Sequence, residues 1–444
     1  MRGTERTHEV FDVRHDPGEL SFGAGIGEQT GRVTFRTDAG RPTSPEAILP
    51  SCLLPAMRFG GTLRIPVPHS PRLLRNQREF QAVQIAWSRG WDYGDPLREV
   101  VVEAPRDDPE PARGNGRVAA FLSLGIDSWS TVLDHDELTD LIFVRGFDLT
   151  PGDERHDRLL PTVEERMREV AEELSLDLHI VETDLRQLTE PLVSWEIFFS
   201  YALDAVALFL GPRFERVLIA GSADHEAQQP WGGQRMIDNL WATERLEIME
   251  DGGRYSRLER VERIAHHPLV RRTLRVCWQN PDGAYNCGRC RKCISAMVML
   301  EVFDALEGME TFPSELDLDA VAATIPQQTL ALGSWEDILD AVRENGRRDL
   351  EPTIETLVEN AKSHFGLPRS YRRRSLPGPS PLTPRPDPEP PSDSEVPPDA
   401  DRLLAEVLGS RSWRLTAPLR RAGRALRWVA SVGGRRRRRH GEPV

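Results

Sequence analysis

Four short apolar runs alternate with helical patterns between residues 118 and 220, and few folds are compatible with this alternation. The alternation predicts βαβ units, in which a mostly parallel sheet carries helices on both faces. Ligands of such sheets bind beyond the carboxyl ends of the strands. The runs are Val118–Leu122, Leu141–Val144, Leu178–Val181 and Val217–Ala220, and the predicted helices are Ser128–Leu138, Thr162–Leu174 and Pro191–Leu210.

The first run leads directly into Ser123-Leu124-Gly125-Ile126-Asp127-Ser128, called here the phosphate loop, and a predicted helix follows. Backbone N–H groups at a helix start lack partners within the helix and lie at the positive end of its dipole, so they favour phosphate oxygens. The hydroxyls of Ser123 and Ser128 add donors, and Gly125 permits close approach. The alternative is an ordinary strand-to-helix turn in which Asp127 or Ser128 is the N-cap.

Four of the five cysteines lie between positions 277 and 293, with the spacing Cys277-x9-Cys287-x2-Cys290-x2-Cys293. Four thiolates close a tetrahedral shell around Zn²⁺ and leave no position for water or substrate, so a structural zinc site is predicted. An iron–sulfur cluster with four thiolate ligands is the alternative. The fifth cysteine, Cys52, is interpreted as a small core residue.

Both motifs resemble those of one enzyme family. The phosphate loop resembles the S-G-G-x-D-S motif of PP-loop ATP pyrophosphatases, with Leu124 in place of the first glycine. The cysteine cluster, with Cys287-Gly288-Arg289-Cys290-Arg291-Lys292-Cys293 at its end, resembles the C-xn-C-G-x-C-x-x-C motif of 7-cyano-7-deazaguanine synthases in queuosine biosynthesis. The motifs occur in the family's order, and the resemblance covers roughly residues 117–306.

The resemblance implies a fold and a reaction. The implied fold is a doubly wound, mostly parallel sheet of the adenine nucleotide alpha hydrolase type with a zinc knuckle. The implied enzyme is an ATP-dependent C–N bond-forming ligase that uses ATP, Mg²⁺ and Zn²⁺, adenylates a small carboxylate or carbonyl acceptor, and transfers nitrogen from ammonia. Its catalytic residues would be Asp127, Ser128 and Asp224. Its nucleotide-binding residues would be Ser123, Leu124, Gly125, Ile126, Asp127, Ser128 and Asp148.

The fourth apolar run ends in a polar segment that the resemblance assigns to the acceptor substrate. Asp224 falls where such enzymes have an acidic residue, while His225 is either a site residue or a surface histidine. Trp231 either stacks on a flat heterocycle or pins the loop. Asp148 either reaches the ribose or a metal, or caps a turn. The segment contains Ala220-Gly221-Ser222-Ala223-Asp224-His225, Gln228, Gln229, Pro230-Trp231-Gly232-Gly233, Arg235 and Asp238.

The sequence on either side of the region that resembles the family has other patterns. Strand-like runs at Arg32–Arg36, Thr62–Val67 and Glu99–Glu103, with a helical pattern in Pro71–Trp87, predict a small N-terminal α+β domain of structural or substrate-selecting role. Further helices are predicted at Trp241–Glu250, Tyr255–His266 and Ile294–Leu306. The predicted segments are 1–115 for the N-terminal domain, 116–310 for the PP-loop domain with its knuckle, 311–366 for a helical extension, 367–400 for a Pro-rich disordered linker, and 401–444 for a basic amphipathic helix with an Arg-rich tail.

Charge limits the partners of the chain. A formal net charge of −13 disfavours binding of nucleic acid by the whole surface, because such binding neutralises phosphates with Lys and Arg. Residues 401–444 nevertheless carry twelve Arg and three acidic residues. A basic helix of this kind lies on an anionic membrane surface or docks on an acidic protein surface, and both interpretations stay open, as does a homodimer.

The sequence predicts neither export nor a membrane span. Residues 1–13 lack the apolar core of a secretory signal, and no apolar stretch reaches the roughly 20 residues of a membrane span. A cytoplasmic protein is therefore predicted, held peripherally at the membrane if the basic tail binds lipid.

Two other functions compete with the ligase. One is a different PP-loop amidation or thiolation reaction, although thiolation usually needs a relay cysteine and only Cys52 lies outside the cluster. The other is a catalytically degenerate ATP-binding assembly protein in surface-glycan biosynthesis, which Leu124 and the arginine tail favour.

Overall fold

Ten strands form one sheet in the computed structural model. The structure describes residues 6–38, 40–90, 96–107, 116–225, 228, 233–326 and 329–372. The strands are β1 (Thr7–Asp16), β2 (Glu19–Ile26), β3 (Gln29–Arg36), β4 (Gly61–Arg64), β5 (Val100–Glu103), β6 (Val118–Phe121), β7 (Asp140–Arg145), β8 (Asp177–Thr183), β9 (Arg216–Ala220) and β10 (Glu247–Asp251).

The helices of the described residues come mainly between and after these strands. They are α1 (Ile48–Met57), α2 (Pro71–Gly90), α3 (Ile126–Asp134), α4 (Glu154–Leu174), α5 (Leu185–Thr189), α6 (Trp195–Phe209), α7 (Arg235–Asp238), α8 (Arg257–Ile264), α9 (Pro268–Thr273), α10 (Arg291–Val302), α11 (Leu318–Ala322), α12 (Thr329–Glu344) and α13 (Glu351–His364). In this part of the chain, none of them combines the length and the apolar character that crossing a bilayer would require.

The sheet has the order β10-β9-β6-β7-β8-β3-β2-β1-β4-β5. The first five strands are parallel, β3, β2 and β1 continue in antiparallel pairs, and β4 and β5 run parallel to β1. The predicted α/β class with a mostly parallel sheet is therefore confirmed. The four predicted apolar runs are the strands β6, β7, β8 and β9.

The order of the parallel strands reverses at β6. The chain adds β7 and β8 on one side of β6 and then returns to add β9 and β10 on the other side. The loops that leave β6 and β9 therefore separate at the carboxyl edge of the sheet and frame a crevice. Such a switch point is where open α/β sheets bind ligands.

Both faces of the sheet are covered, which explains why the strand runs are continuously apolar. Val118 and Ala120 of β6 belong to the core that includes α3, α4, α8 and α10. Ala119 and Phe121 belong to the opposite core, with α1, α2, α5 and α6. Successive residues of a strand point to opposite faces, so one short strand contributes to both cores.

The N-terminal strands extend the same sheet. β3 pairs antiparallel with β8 through Phe35 with Thr183 and Arg36 with Glu182. The described residues up to Arg372 belong to one compact unit. The predicted N-terminal strands are present as β3, β4 and β5 and the predicted helix as α2, whereas β1, β2 and α1 were not predicted. The predicted linker from 373 onward and the basic tail lie outside the described residues.

One predicted element is wrong. The segment Trp241–Glu250 was expected to be a helix, but it contains β10, which pairs in parallel with β9. Residues 244–250 are rich in Glu, Leu and Met, which favour helices intrinsically. Ile248 and Glu250 are both buried in the alternating pattern of a strand. Pairing and burial thus override the weaker local preference.

Candidate functional site

The phosphate loop leaves β6 in a conformation that leucine rarely adopts. Leu124 has φ of 64°, in the left-handed region, and its side chain is fully buried. This conformation costs a residue with a Cβ about 1–2 kcal/mol, whereas glycine adopts it readily. The backbone N–H of Arg275 donates to the Leu124 carbonyl at 2.9 Å and holds it in place. The loop therefore has a glycine-type turn at the position where the resembled motif has glycine.

Two serine hydroxyls fix the rest of the loop. Ser128 Oγ donates to the Gly125 carbonyl at 3.1 Å and accepts from the Ser123 backbone N–H at 3.2 Å. Ser123 Oγ accepts from the Gly125 N–H at 3.3 Å and lies 3.2 Å from Ser128 Oγ. A Cβ on Gly125 would lie 3.1 Å from Ser123 Oγ. The hydroxyls of both serines therefore stabilise the conformation of the loop itself.

The first turn of α3 begins directly after this loop. Its N-cap is Gly125, which has extended backbone angles and no side chain to cap the turn. The alternative with Asp127 or Ser128 as N-cap is therefore wrong. No side-chain acceptor from the N-cap competes for the first-turn N–H groups, so they can bind an anion at the positive end of the helix.

Asp127 is held in a double ion pair that the sequence did not reveal. Its two carboxylate oxygens each lie 2.6 Å from a guanidinium nitrogen, Arg257 Nη2 on one side and Arg260 Nη1 on the other. Burial raises the pKa of Asp127, but the charges of Arg257 and Arg260 outweigh burial and hold that pKa below its ordinary value. Asp127 is therefore an anchored carboxylate and not a free general base.

Helix α8 supplies both arginines. It starts with a capping box, in which Ser256 Oγ accepts from the Glu259 N–H and Glu259 accepts from the Ser256 N–H. Arg257 and Arg260 follow with a spacing of three and therefore share one face. Helix α8 was predicted within Tyr255–His266, and this spacing was the signal that could have identified the pair.

Arg260 joins three loops at the carboxyl edge of the sheet. Its side chain is 1% exposed. Besides Asp127 after β6, its guanidinium donates to the carbonyl of Gly221 after β9 and, at 2.8 Å, to that of Gly252 after β10. The buried guanidinium of Arg260 therefore connects the loops that follow β6, β9 and β10.

The other predicted site residues occupy this edge with differing exposure. Asp224 is half-buried after β9, and Asp148 is exposed after β7. His225 is exposed, and its N–H donates to the Gly253 carbonyl at 2.6 Å. Their catalytic and binding roles stay predictions. The predicted Gln229, Pro230, Trp231 and Gly232 lie outside the described residues.

Three carboxyl groups near this edge are fully or almost fully buried: Asp204, Asp238 and Glu250. Burial raises the pKa values of Asp204 and Asp238 well above their ordinary range and that of Glu250 to about 7. Asp238 accepts from Ser200 Oγ at 2.9 Å, so it belongs to the interior and not to the predicted polar loop. Glu250 lies under the loop after β9, because a Cβ on Gly221 would lie 1.6 Å from Glu250 Oε1.

The four cysteines converge on one point. All four Sγ atoms lie within 4.8 Å of one another, and the pairs Cys277–Cys290 and Cys287–Cys293 are 3.9 Å apart. A tetrahedron with Zn–S bonds of about 2.3 Å has S···S edges of about 3.8 Å. The donor set therefore fits a tetrahedral metal such as zinc, and it fits a four-thiolate iron–sulfur cluster in ligand type as well.

Backbone groups complete the cysteine cluster. The N–H groups of Asn280 and Cys290 donate to Cys277 Sγ and Cys287 Sγ, both at 3.3 Å. Gly288, with φ of 69°, allows the tight turn, and a Cβ there would lie 2.8 Å from Pro313 Cγ. Donation from the Cys290 and Cys293 thiols lowers the pKa of Cys277, whereas the pKa of Cys293 is raised by the same contacts. Backbone N–H groups and a glycine turn thus hold the four sulfurs around one point.

A short segment links the two motifs. Asn286 Oδ1 accepts from the N–H groups of Val276 at 2.9 Å and Cys277 at 3.1 Å. Arg275, next in the chain, donates its N–H to Leu124 in the phosphate loop. The cysteine cluster and the phosphate loop are therefore connected by one short, hydrogen-bonded segment.

Comparisons with known protein families, with curated proteins and with solved structures found no match for this chain.

Proposed function

We propose that this chain is an ATP-dependent C–N bond-forming ligase of the PP-loop type, similar to 7-cyano-7-deazaguanine synthase. Its fold would be the doubly wound, adenine nucleotide alpha hydrolase-like sheet. The enzyme would transfer AMP to a carboxylate or carbonyl oxygen of a small acceptor, and nitrogen from ammonia would then displace AMP. One observation carries the proposal: the S-L-G-x-D-S loop has a glycine-type turn at the switch point of a parallel sheet.

The surroundings of the loop suit a phosphate chain. The first-turn N–H groups of α3 and the nearby guanidinium groups of Arg257 and Arg260 supply positive potential. Such groups stabilise the charge that develops on a departing pyrophosphate. In this proposal Asp127 acts as a positioning residue, because its carboxylate holds both guanidinium groups beside the loop.

A protein-built magnesium site is not supported. Both Asp127 oxygens are paired with arginines. Among the described residues, the cysteines are the only group of three or more candidate ligands close enough to share a metal. The proposal therefore uses no step through Mg²⁺. The cysteine cluster, being closed, has a structural role in it.

Thiolation fits the structure less well than nitrogen transfer. Cys52 is fully buried in α1, and burial raises the pKa of its thiol to about 12. A sulfur relay needs an accessible thiolate, because the thiolate is the nucleophile. Cys52 therefore has the character of the predicted core residue.

A second candidate function is a nucleotide-binding protein without turnover. The observation that favours it is the double ion pair of Asp127, which removes the one carboxylate of the loop from chemistry. Such a protein would bind ATP and form no AMP with any acceptor.

The test incubates the full chain with ATP, Mg²⁺, ammonium and a panel of small carboxylates, including 7-carboxy-7-deazaguanine, and measures AMP and pyrophosphate. Acceptor-dependent AMP formation supports the ligase. Binding of ATP without AMP formation from any carboxylate supports the second candidate.

A matched pair of variants connects the activity to the loop. Ser128→Ala removes the hydroxyl that ties Ser123 to Gly125 and should lower AMP formation at least tenfold. Ser130→Ala, on the same helix, removes a buried hydroxyl that has no hydrogen-bond partner in the described structure and should leave the rate within twofold. Equal effects of the two variants would argue against the loop as the active site.

A further inference from the structure

Two buried side chains near the phosphate loop carry hydrogen-bond donors that find no partner among the described residues. Arg275 is 5% exposed, and its Nε and Nη2 atoms are buried without a hydrogen bond. His156, on α4, is 9% exposed, and its Nε2 atom is likewise buried without a hydrogen bond. A buried donor left unpaired costs about 1–3 kcal/mol, and a charged one costs more. Such groups therefore call for a ligand that accepts hydrogen bonds.

Arg275 lies directly against the phosphate loop. Its backbone N–H donates to the Leu124 carbonyl at 2.9 Å. A Cβ built on Gly125 would lie 3.8 Å from the Arg275 carbonyl oxygen. The same residue stands two positions before Cys277, so the segment that bears it is anchored at both ends.

His156 presents a donor and not an acceptor. The backbone N–H of Thr150 donates to His156 Nδ1 at 3.1 Å, so Nδ1 carries no hydrogen. The proton of the neutral ring is therefore on Nε2, which is the unpaired atom. Burial, opposed by Asp153 and aided by Arg155 and Arg275, lowers the pKa of His156 and keeps the ring neutral.

The two donors belong to one region. Arg155, the neighbour of His156 in α4, donates from its guanidinium to the Gln279 carbonyl at 3.3 Å, and a Cβ on Gly283 would lie 3.4 Å from the Arg155 carbonyl oxygen. The start of α4 therefore packs against the segment that follows Arg275, and the charge of Arg275 acts on the His156 ring. His156 lies on the helix that follows β7, the immediate neighbour of β6, and Arg275 contacts the loop that leaves β6. Guanidinium and imidazole N–H groups offer donors alone, and their natural ligand is an oxyanion.

We propose that Arg275 and His156 form an oxyanion subsite beside the phosphate loop, which binds the pyrophosphate portion of a nucleotide. The assignment of the oxyanion to a nucleotide rests on the proposed function. The competing role for Arg275 is to neutralise the cysteine cluster, since its charge also interacts with Cys277 and Cys293. The two roles differ in whether His156 takes part.

Titration calorimetry with inorganic pyrophosphate tests the subsite on the metal-loaded full chain. Arg275→Gln should weaken pyrophosphate binding at least tenfold, equivalent to about 1.4 kcal/mol, with metal content unchanged. His156→Asn, which is far from the cysteines in sequence, should weaken it about threefold to tenfold. Arg272→Gln is the matched control, because Arg272 pairs with Glu169 and Glu173 at the surface, three residues before Arg275.

Three outcomes would overturn the subsite. They are no pyrophosphate binding by the wild-type chain, wild-type affinity in Arg275→Gln, or wild-type affinity in His156→Asn together with metal loss in Arg275→Gln. The proposed function fails separately: Arg275-dependent pyrophosphate binding without AMP formation would keep the subsite and remove the ligase. AMP formation by the wild-type chain, with unchanged pyrophosphate affinity in Arg275→Gln and His156→Asn, would keep the ligase and remove the subsite.

Discussion

The cysteine cluster and the phosphate loop are neighbours in space but differ in how they are completed. The cluster draws its four Sγ atoms from one stretch of seventeen residues, and they lie within 4.8 Å of one another. The phosphate loop is completed by side chains from α8, more than 120 residues later in the chain. A cluster of candidate metal ligands can therefore be identified from local spacing, whereas the surroundings of the proposed anion site depend on the tertiary fold.

The two regions also differ in the polar groups that the described residues leave unpaired, which are an acceptor, Asn280 Oδ1, near the cluster and donors near the loop. Backbone N–H groups surround the cysteine sulfurs and complete their contacts. Around the loop, Arg275 and His156 keep unpaired donors, and Leu124 keeps a left-handed backbone. Strain and unpaired polar groups are concentrated where ligands bind. These differences favour a structural role for the cluster and the proposed ligand binding at the loop.

The largest expected effect comes from opening the cluster. Cys290→Ser removes one ligand and the sulfur that accepts from the Cys293 N–H at the start of α10. We expect loss of the bound metal, measured by elemental analysis, and a fall of several kcal/mol in the free energy of unfolding, because metal binding contributes directly to folding. Cys52→Ala is the control and should keep the metal. Full metal content and unchanged stability in Cys290→Ser would contradict the cluster's structural role.

The next effect concerns the buried ion pair under the loop. Asp127→Asn leaves Arg260 buried with an unpaired charge, so we expect a loss of about 3–5 kcal/mol in chemical denaturation and no AMP formation. Asp134→Asn is the control. It removes a partner of Arg263, an ion pair between the same two helices whose arginine is 42% exposed, and it should cost at most about 1 kcal/mol. Similar losses in the two variants would show that the Asp127 pair is no better buried than the surface pair.

A pH-dependent effect should come from Glu250. Its pKa is about 7 in the folded chain, because burial raises it from 4.5. The folded chain therefore keeps a proton that the unfolded chain releases, and stability falls as pH rises from about 4.5 to 7, by up to about 3 kcal/mol. Glu250→Gln should flatten this part of the stability curve, while Glu247→Gln, exposed on the same strand, should not. An unchanged slope in Glu250→Gln would remove this group as the cause.

The smallest effect tests the packing of the β9 loop. Gly221→Ala would place a Cβ 1.6 Å from Glu250 Oε1 and 3.1 Å from the Asp251 carbonyl, so the loop or the buried Glu250 side chain must move. We expect a loss of about 1–3 kcal/mol and weaker pyrophosphate binding. Gly211→Ala is the control, since its Cβ would meet Leu246 at an ordinary 3.5 Å. If both variants unfold at the same denaturant concentration, the close contact at Gly221 is absent.

Much of the fold was predictable because its signals are local. The apolar runs that became β6, β7, β8 and β9 are short and continuous, which is the pattern of strands buried on both faces. The segment that forms β10 was wrongly predicted to be a helix, because its residues favour helices and only pairing with β9 makes it a strand. The pairing of β3 with β8 was not predictable either, because nothing in the sequence of either strand specifies a partner about 150 residues away.

By itself, the sequence determined the α/β class, the position of the phosphate loop and the four cysteines that form the cluster, because periodicity and short spacing act within a few turns of chain. Only the tertiary structure decided that Arg257 and Arg260 hold Asp127, that Glu250 is buried beneath Gly221, and that Arg275 and His156 are left with unpaired donors. These contacts join residues far apart in the chain, and their energies depend on burial. Burial is a property of the packed molecule and is not encoded at any single position.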